Sequence, residues 1–372
     1  MLRLSAHDPW LWLAPLVAAV AVTASLTPLA IRAANRFGTI DRPVGQKIHS
    51  KPTPLLGGVA VYAGFLLVAI LFLPFDGPVR GILAGGAIAT TIGVLDDRLS
   101  LPPLIHLGGQ ICAAVVTIVV GLGVVRSLNN PFASAAQIAS GKGGLAIPIV
   151  LGLAFTIFWI VGMMNTINFL DGLDGLSSGV GIIAALLLAW WASHPNVANY
   201  KAMTLFGHAE LVLPIILAGA LLGFLPFNWH PARAFIGDSG VMFLGLGLGG
   251  ISLLGATKIG TALLILSIPV LDVAWAIVRR QLHGKSFLTG DKQHVYHRMI
   301  ELGMSQMTTV ISLYALCVAL GVMDLQLARK EKLVAVAIVM ILAGLGFVGL
   351  EIAGNRRNGR QSAQESRGEI RT

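Results

Sequence analysis

Three short aspartate-bearing segments carry the residues best suited to chemistry. In Gly93-Val94-Leu95-Asp96-Asp97-Arg98 two carboxylates stand side by side, and neighbouring acids repel unless a proton or a cation joins them. In Asn165-Thr166-Ile167-Asn168-Phe169-Leu170-Asp171-Gly172-Leu173-Asp174-Gly175 a polar group recurs every third residue. Steps of three on a helix of 3.6 residues per turn drift by about 60° each, so Asn165 and Asp174 would end on opposite faces. Either Gly172 ends the helix or the motif serves two neighbours. A glycine after each Asp also permits positive φ and close backbone approach to a ligand. The third segment, Phe227 to Gly240, sets Asp238 between Gly237 and Gly240 just ahead of an apolar run, an arrangement suited to a metal or a phosphate.

Basic groups complement these acids: Lys47, His49 and Lys51 in one loop, and Asp291-Lys292-Gln293-His294-Val295-Tyr296-His297-Arg298 in another. His294 and His297 share a face at i, i+3 if their segment is helical. No Cys lies near them and the acids are Mg²⁺-like oxygen ligands, so phosphate contact is a better reading than zinc. Carboxylate and amide oxygens together with Lys, Arg and His suit phosphoryl transfer, in which a hard cation bridges substrate phosphates and basic groups hold the rest.

The elements that must position these residues are membrane helices. The 372 residues are 55% hydrophobic and only 12% charged, with mean hydropathy +0.80, a balance that a wet soluble surface does not carry. A bilayer core needs about 20 apolar residues per helix. About eleven stretches qualify, at 10–34, 56–75, 79–95, 102–125, 144–164, 179–193, 208–226, 240–257, 260–278, 307–326 and 333–352. The fold class is therefore all-α, a polytopic transmembrane helix bundle with its active loops on one side. The first stretch reads as a retained helix, since basic residues and no clear cleavage site follow it.

Eleven spans divide the loops into two sets, one with 17 Lys and Arg and the other with nine. The positive-inside rule places the richer set and the C-terminus in the cytoplasm and the N-terminus outside. Asp96, Asp97, Asp171, Asp174, Asp238 and Asp291 all fall on that cytoplasmic side, a sorting not used to assign it. Arg329, Lys330 and Lys332 run against the rule. The net charge of +9 thus speaks of orientation, and no nucleic acid is implied. Cys112 and Cys317 lie inside apolar spans and imply no disulfide. Gly245, Gly247, Gly249 and Gly250 lie in an apolar span without a preceding strand, so they serve close helix packing rather than dinucleotide binding. One membrane-embedded domain over 1–354 and a disordered tail over 355–372 are expected.

Five motifs carry a resemblance: Lys47-x-His49-x-x-Pro52-Thr53-Pro54-x-x-Gly57-Gly58, Gly93-x-x-Asp96-Asp97, Asn165-x-x-Asn168-x-x-Asp171-Gly172-x-Asp174-Gly175, Gly237-Asp238-x-Gly240 and His294-x-x-His297-Arg298. In order, from about residue 35 to 305, they resemble the polyprenyl-phosphate N-acetylhexosamine-1-phosphate transferases. That family joins an amino sugar phosphate from a UDP-sugar to undecaprenyl phosphate and releases UMP with Mg²⁺. The resemblance implies that Asn168 and Asp238 hold Mg²⁺, which Mn²⁺ could replace. Asn165, Asp171 and Asp174 would line the nucleotide side, and Asp96 and Asp97 would be the catalytic pair facing the lipid phosphate. Lys47, His49, His294, His297 and Arg298 would bind phosphate or sugar. A phosphate monoester has its second pKa near 6, so Asp96 is expected to position the acceptor or support the metal rather than act as an obligatory base.

Peptidoglycan-type members carry consecutive histidines in the largest loop, whereas His-x-x-His-Arg and Pro269-x-x-Asp272 followed by Arg279-Arg280 resemble the branch using UDP-N-acetylglucosamine. Asp272, about two turns inside its helix, suits a structural ion pair or hydrogen bond. Gln46 and Leu55 replace Arg, His106 replaces a Lys and Tyr296 a His of the family pattern; histidine is cationic only where its pKa permits. The expected setting is the bacterial inner (plasma) membrane, with the lipid bilayer and both substrates as partners; Gly- and Ala-rich spans suit a homodimer or internal packing. Two rivals remain: phospho-N-acetylmuramoyl-pentapeptide transfer, and an ion-coupled transporter, which would bind near the midplane.

Overall fold

The computed structural model describes residues 10–43, 51–130, 144–193, 207–254, 258–282, 294–327 and most of 331–349. Helices dominate: α1 (Trp10–Phe37), α2 (Gly57–Phe72), α3 (Gly77–Leu99), α4 (Pro103–Thr117), α5 (Ile149–Leu170), α6 (Leu176–Ser193), α7 (Gly207–Asn228), α8 (Gly237–Leu253), α9 (Lys258–Ile265), α10 (Ser267–Leu282), α11 (Val295–Glu301) and α12 (Gln306–Gln326). Two small antiparallel ribbons accompany them. β1 (Ile40–Asp41) pairs with β2 (Thr53–Pro54), and β3 (Ser127–Asn129) with β4 (Gly144–Ala146).

Seven helices among the described residues are long and apolar enough to cross a membrane, and Gly57–Phe72, Gly237–Leu253 and Val334–Gly346 are shorter apolar helices. The fold is the expected all-α membrane bundle. Two apolar stretches differ in detail from the sequence reading. The stretch from 144 begins as β4 before α5 starts. The stretch 260–278 is broken between α9 and α10, where Pro269 has no N–H to give to the Ile265 carbonyl.

The bundle is organised around α8, which is apolar on every side and buried along nearly its whole length. Such a helix belongs in a core, and its glycines let neighbouring backbones close on it. A Cβ on Gly245 would stand 2.4 Å from Met164 Cα of α5, and one on Gly240 2.7 Å from Gly58 Cα of α2. Gly93 of α3 faces the Ser239 amide, which an added Cβ would approach to 2.3 Å. The glycine run is packing hardware, as its apolar setting predicts.

The basic segment at 329–332 has a partial structural answer. Lys332 Nζ bonds to Asp324 Oδ2 of α12 at 2.8 Å, and Thr261 Oγ1 donates to the same oxygen at 2.7 Å. Asp324 is completely buried, and Lys332 also lies 6.0 Å from the Trp191 ring centroid. One of the cations that ran against the positive-inside count is thus neutralised within the protein.

Candidate active site

The Gly237-Asp238-Ser239-Gly240 motif forms the first turn of α8, and the loop before it is fastened to the start of α2. Phe235 N donates to Pro54 O at 2.8 Å, Gly57 N to Phe235 O at 3.1 Å and Gly58 N to Ile236 O at 2.8 Å. The Pro-Thr-Pro-x-x-Gly-Gly segment therefore serves as a scaffold for the Asp238 turn. Gly237 has φ +66°, and a Cβ there would lie 2.3 Å from Leu55 O and 2.7 Å from Asp97 Oδ2. Only glycine meets both conditions.

The adjacent acids of α3 divide their work. Asp97 faces the N-terminus of α8: its Oδ1 accepts from Asp238 N at 2.8 Å and its Oδ2 from Ser239 N at 3.2 Å. It meets amides that an α-helix leaves unpaired at its first turn, where negative charge is also favoured by the helix dipole. Asp96 turns the other way. Its Oδ1 accepts from Leu101 N at 2.6 Å, and its Oδ2 bonds to His106 Nδ1 at 2.6 Å.

The Asp96 carboxyl also lies within electrostatic reach of that of Asp238. Two ionised carboxylates tolerate that approach only with a proton or a cation between them. Among the described residues no three His, Cys, Asp or Glu side chains form a ready-made metal-binding group. Mg²⁺ does not require one, since it is usually held by one or two carboxylates together with water and substrate phosphates. The Asp238 carboxylate at the head of α8 offers such an oxygen.

The Asn165 to Gly175 segment resolves the alternative left by its spacing. Helix α5 runs to Leu170 and ends at Asp171, whose ψ is 50°, so the motif turns before Gly172. The two glycines have different tasks. Gly175 adopts φ +78°, while Gly172 admits Tyr296, whose hydroxyl would lie 2.0 Å from an added Cβ. Asn165 points at α4, donating to Gln110 Oε1 and to Val161 O, each at 2.8 Å. Asn168 lies one turn before Asp171, and its backbone carbonyl accepts from Asp171 N.

Asp171 accepts from Ser177 Oγ at 2.5 Å. Burial pushes its carboxyl up to about 7; the Ser177 hydroxyl opposes that shift, and the charges of Asp238 and Asp174 add to it. Asp171 is therefore within electrostatic reach of the Asp96–Asp238 pair. Asp174 faces away, toward the loop before α8, where its Oδ2 accepts from His230 Nδ1 at 2.7 Å and from Ala232 N at 3.1 Å. Asn228, 2% exposed, ties the same loop to α6: its amide donates to Ala234 O and its carbonyl accepts from Ser178 Oγ.

The largest loop reaches the site through α11. His294 Nδ1 bonds to Asp272 Oδ2 at 2.8 Å, bearing out the hydrogen-bonded role expected of Asp272. The His294 ring packs on Phe169 and on Tyr296, with centroids 5.3 and 5.7 Å away. Tyr296 in turn packs on His297 at 4.5 Å. Burial, with the nearby charges of Asp272 and Asp171, pushes the Tyr296 hydroxyl above the usual phenol range. Arg298 is buried and its guanidinium lies 3.7 Å from Glu301. Lys47, His49 and Asp291 lie outside the described residues.

The sequence reading thus gathers a set that the structure brings together only in part. Asp96, Asp97, Asp171 and Asp238 converge, Asn165 and Asp174 are turned toward flanking elements, and His294 is held internally by Asp272, Phe169 and Tyr296. Ser177 and His230 were not singled out by type or spacing. Their only signal is adjacency: Ser177 follows the Asn165–Gly175 motif by two residues, and His230 lies inside the Phe227–Gly240 segment that holds Asp238.

Comparison with known proteins shows the family. The sequence profile of glycosyl transferase family 4 matches residues 79–256, which hold Asp96, Asp97, Asp171, Asp174 and Asp238 and all of α8. Decaprenyl-phosphate N-acetylglucosaminephosphotransferase of Mycolicibacterium smegmatis is 35% identical over 75% of this chain and 73% of its own length. A probable undecaprenyl-phosphate N-acetylglucosaminyl 1-phosphate transferase of Bacillus subtilis is 29% identical over 88% of each chain. Phospho-N-acetylmuramoyl-pentapeptide-transferase of Mycobacterium avium is 31% identical over 82% of this chain and 93% of its own. With apolar helices to cross a membrane and an acidic turn built from the shared region, the chain belongs to glycosyl transferase family 4, the multi-pass membrane transferases that act on polyprenyl phosphates.

Proposed function

We propose that this protein transfers N-acetylglucosamine-1-phosphate from its UDP-linked donor to a polyprenyl phosphate such as undecaprenyl phosphate, releasing UMP, at the cytoplasmic face of the bacterial plasma membrane. The observation that carries this reading is the gathering of Asp96 and Asp171 within electrostatic reach of Asp238 at a turn whose amides are held by Asp97. An acceptor phosphate oxygen attacks the β-phosphorus of the donor, a P–O bond forms, and the bridging P–O bond breaks with UMP as leaving group. Bound Mg²⁺ would neutralise charge on the donor phosphates, with Asp238 and Asn168 as its ligands.

The remaining work belongs to side chains. Asp97 fixes the turn so that the Asp238 carboxylate does not drift. Asp171, steadied by Ser177, faces the same volume from α5 and lines the nucleotide side. Asp174 braces the loop that flanks the nucleotide through His230 and Ala232, and Asn165 braces α5 against α4. Both oxygens of Asp96 are engaged, by Leu101 N and by His106, which supports positioning of the acceptor over obligatory proton removal. Lys47, His49, His297 and Arg298 supply positive charge for phosphates and sugar.

The donor is chosen on two grounds: His-x-x-His-Arg in the largest loop, and relatives of at least 34% identity that are named as N-acetylglucosamine transferases. The test is UMP release by the detergent-purified protein with undecaprenyl or decaprenyl phosphate and Mg²⁺. Release from UDP-N-acetylglucosamine, abolished by EDTA and restored by Mg²⁺, is expected. Release only from UDP-N-acetylmuramoyl-pentapeptide would overturn the donor assignment, and release unaffected by EDTA would overturn the metal.

A further inference from the structure

Asp272 has no part in the chemistry just described, yet it is a carboxylate 7% exposed within α10, flanked by Leu271 and Val273. A charge in that position is costly unless partners compensate it. Its two oxygens meet two donors of the largest loop: His294 Nδ1 at 2.8 Å and Val295 N at 3.0 Å. His294 is itself 4% exposed, so the contact is shielded from water and strengthened by the low local dielectric.

We infer that Asp272 is a positioning residue for the transfer reaction, fixing the tautomer of His294 and seating the start of α11 against the Asn168–Gly172 turn. A carboxylate oxygen only accepts, so Nδ1 of His294 must carry its proton toward Asp272, which leaves Nε2 as the nitrogen presented on the opposite edge of the ring. The ring so fixed is gripped by Phe169, the neighbour of Asn168, and by Tyr296, which abuts Gly172. One carboxylate in α10 thereby sets the register between the His-x-x-His-Arg segment and the acidic turn at the end of α5. Second-layer partners of this kind change activity by about 10–100-fold when removed.

This inference rests on the reading that the His294–Arg298 segment serves the transfer site, and two measurements separate the two. The first does not depend on activity: ¹⁵N NMR of histidine-labelled protein in detergent, with the signal assigned by its loss in His294→Gln. Nδ1 of His294 is expected to be protonated in the wild type. In Asp272→Asn, whose amide can keep the Val295 bond with its oxygen while turning its NH₂ to the ring, the proton is expected on Nε2 alone. The second is a double-mutant cycle on kcat for UMP release. Asp272→Asn should lower kcat by about 10–100-fold in the wild type with a smaller change in KM, and by less than about twofold in a His294→Gln background.

An unchanged His294 tautomer in Asp272→Asn would overturn the inference. So would equal loss of kcat in both backgrounds, which marks a general structural role. The expected tautomer change without any loss of kcat would leave the Asp272–His294 geometry standing and sink its link to transfer.

Discussion

Two carboxylate sites lie at opposite ends of the bundle and are treated in opposite ways. At one end Asp96, Asp97, Asp171 and Asp238 gather around the first turn of α8. At the other, α6 leads from Leu176 beside that site to Trp191, about 22 Å away at 1.5 Å per residue, and there the lone Asp324 meets Lys332. Asp324 is completely buried and is given a fixed cation and a hydroxyl. The larger cluster is given amide N–H groups, a serine and a histidine, and carboxylates are left within electrostatic reach of one another. Charge that serves stability is neutralised by the protein itself. Charge that serves the reaction is left for a cation and a substrate to satisfy.

The sharpest way to break this contrast is substitution at the two centres. Asp238→Asn should lower UMP release by about 10²–10³-fold, the scale of losing a preorganised electrostatic contact, while the thermal midpoint in detergent stays near that of the wild type. Asp324→Ala should do the reverse. It leaves the part-buried Lys332 without its carboxylate, at a cost of up to about 3–5 kcal/mol, the scale for a fully buried pair, and should depress the thermal midpoint while turnover per folded molecule is kept. Adding Lys332→Met should recover part of that midpoint, because the uncompensated charge is then gone. A loss of turnover in Asp324→Ala beyond the fraction unfolded would erase the distinction between the two ends.

Asp97 tests whether the reactive end has a structural member. Asn in its place offers one acceptor oxygen where two amides call for one each, and a buried unpaired N–H costs about 1–3 kcal/mol. Asp97→Asn should therefore lose stability and activity together, unlike Asp238→Asn. Equal thermal midpoints for the two variants would place Asp97 with the reacting groups instead.

The smallest expected effect concerns Asp171. Its carboxyl is raised to about 7 chiefly by burial, so it takes up a proton as pH falls through that value, and activity that needs the carboxylate is lost on the acid side. The Ser177 hydroxyl bonds the ionised form and holds that limb down. Ser177→Ala should move the acid limb of kcat/KM to higher pH by up to about one unit, the scale of one such hydrogen bond. A limb that stays put would mean that Asp171 does not govern it.

Composition, hydropathy and motif spacing are enough to read the all-α membrane class, the clustering of acids on one side and the family, because each is a local property of the chain. The 3.6-residue period even exposes the conflict within Asn165–Gly175, which the ending of α5 at Asp171 resolves. Spacing does not say which way a side chain turns. Asp96 and Asp97 are neighbours in sequence, yet one meets His106 and the other the amides of α8, because successive residues on a helix point about 100° apart and α8 packs on one side of α3 alone. Pairings across long separations, Asp272 with His294 and Asp324 with Lys332 and Thr261, were equally closed to the sequence. Only the packing of α8 at the centre, made close by its glycines, decides which distant groups a buried carboxylate finds.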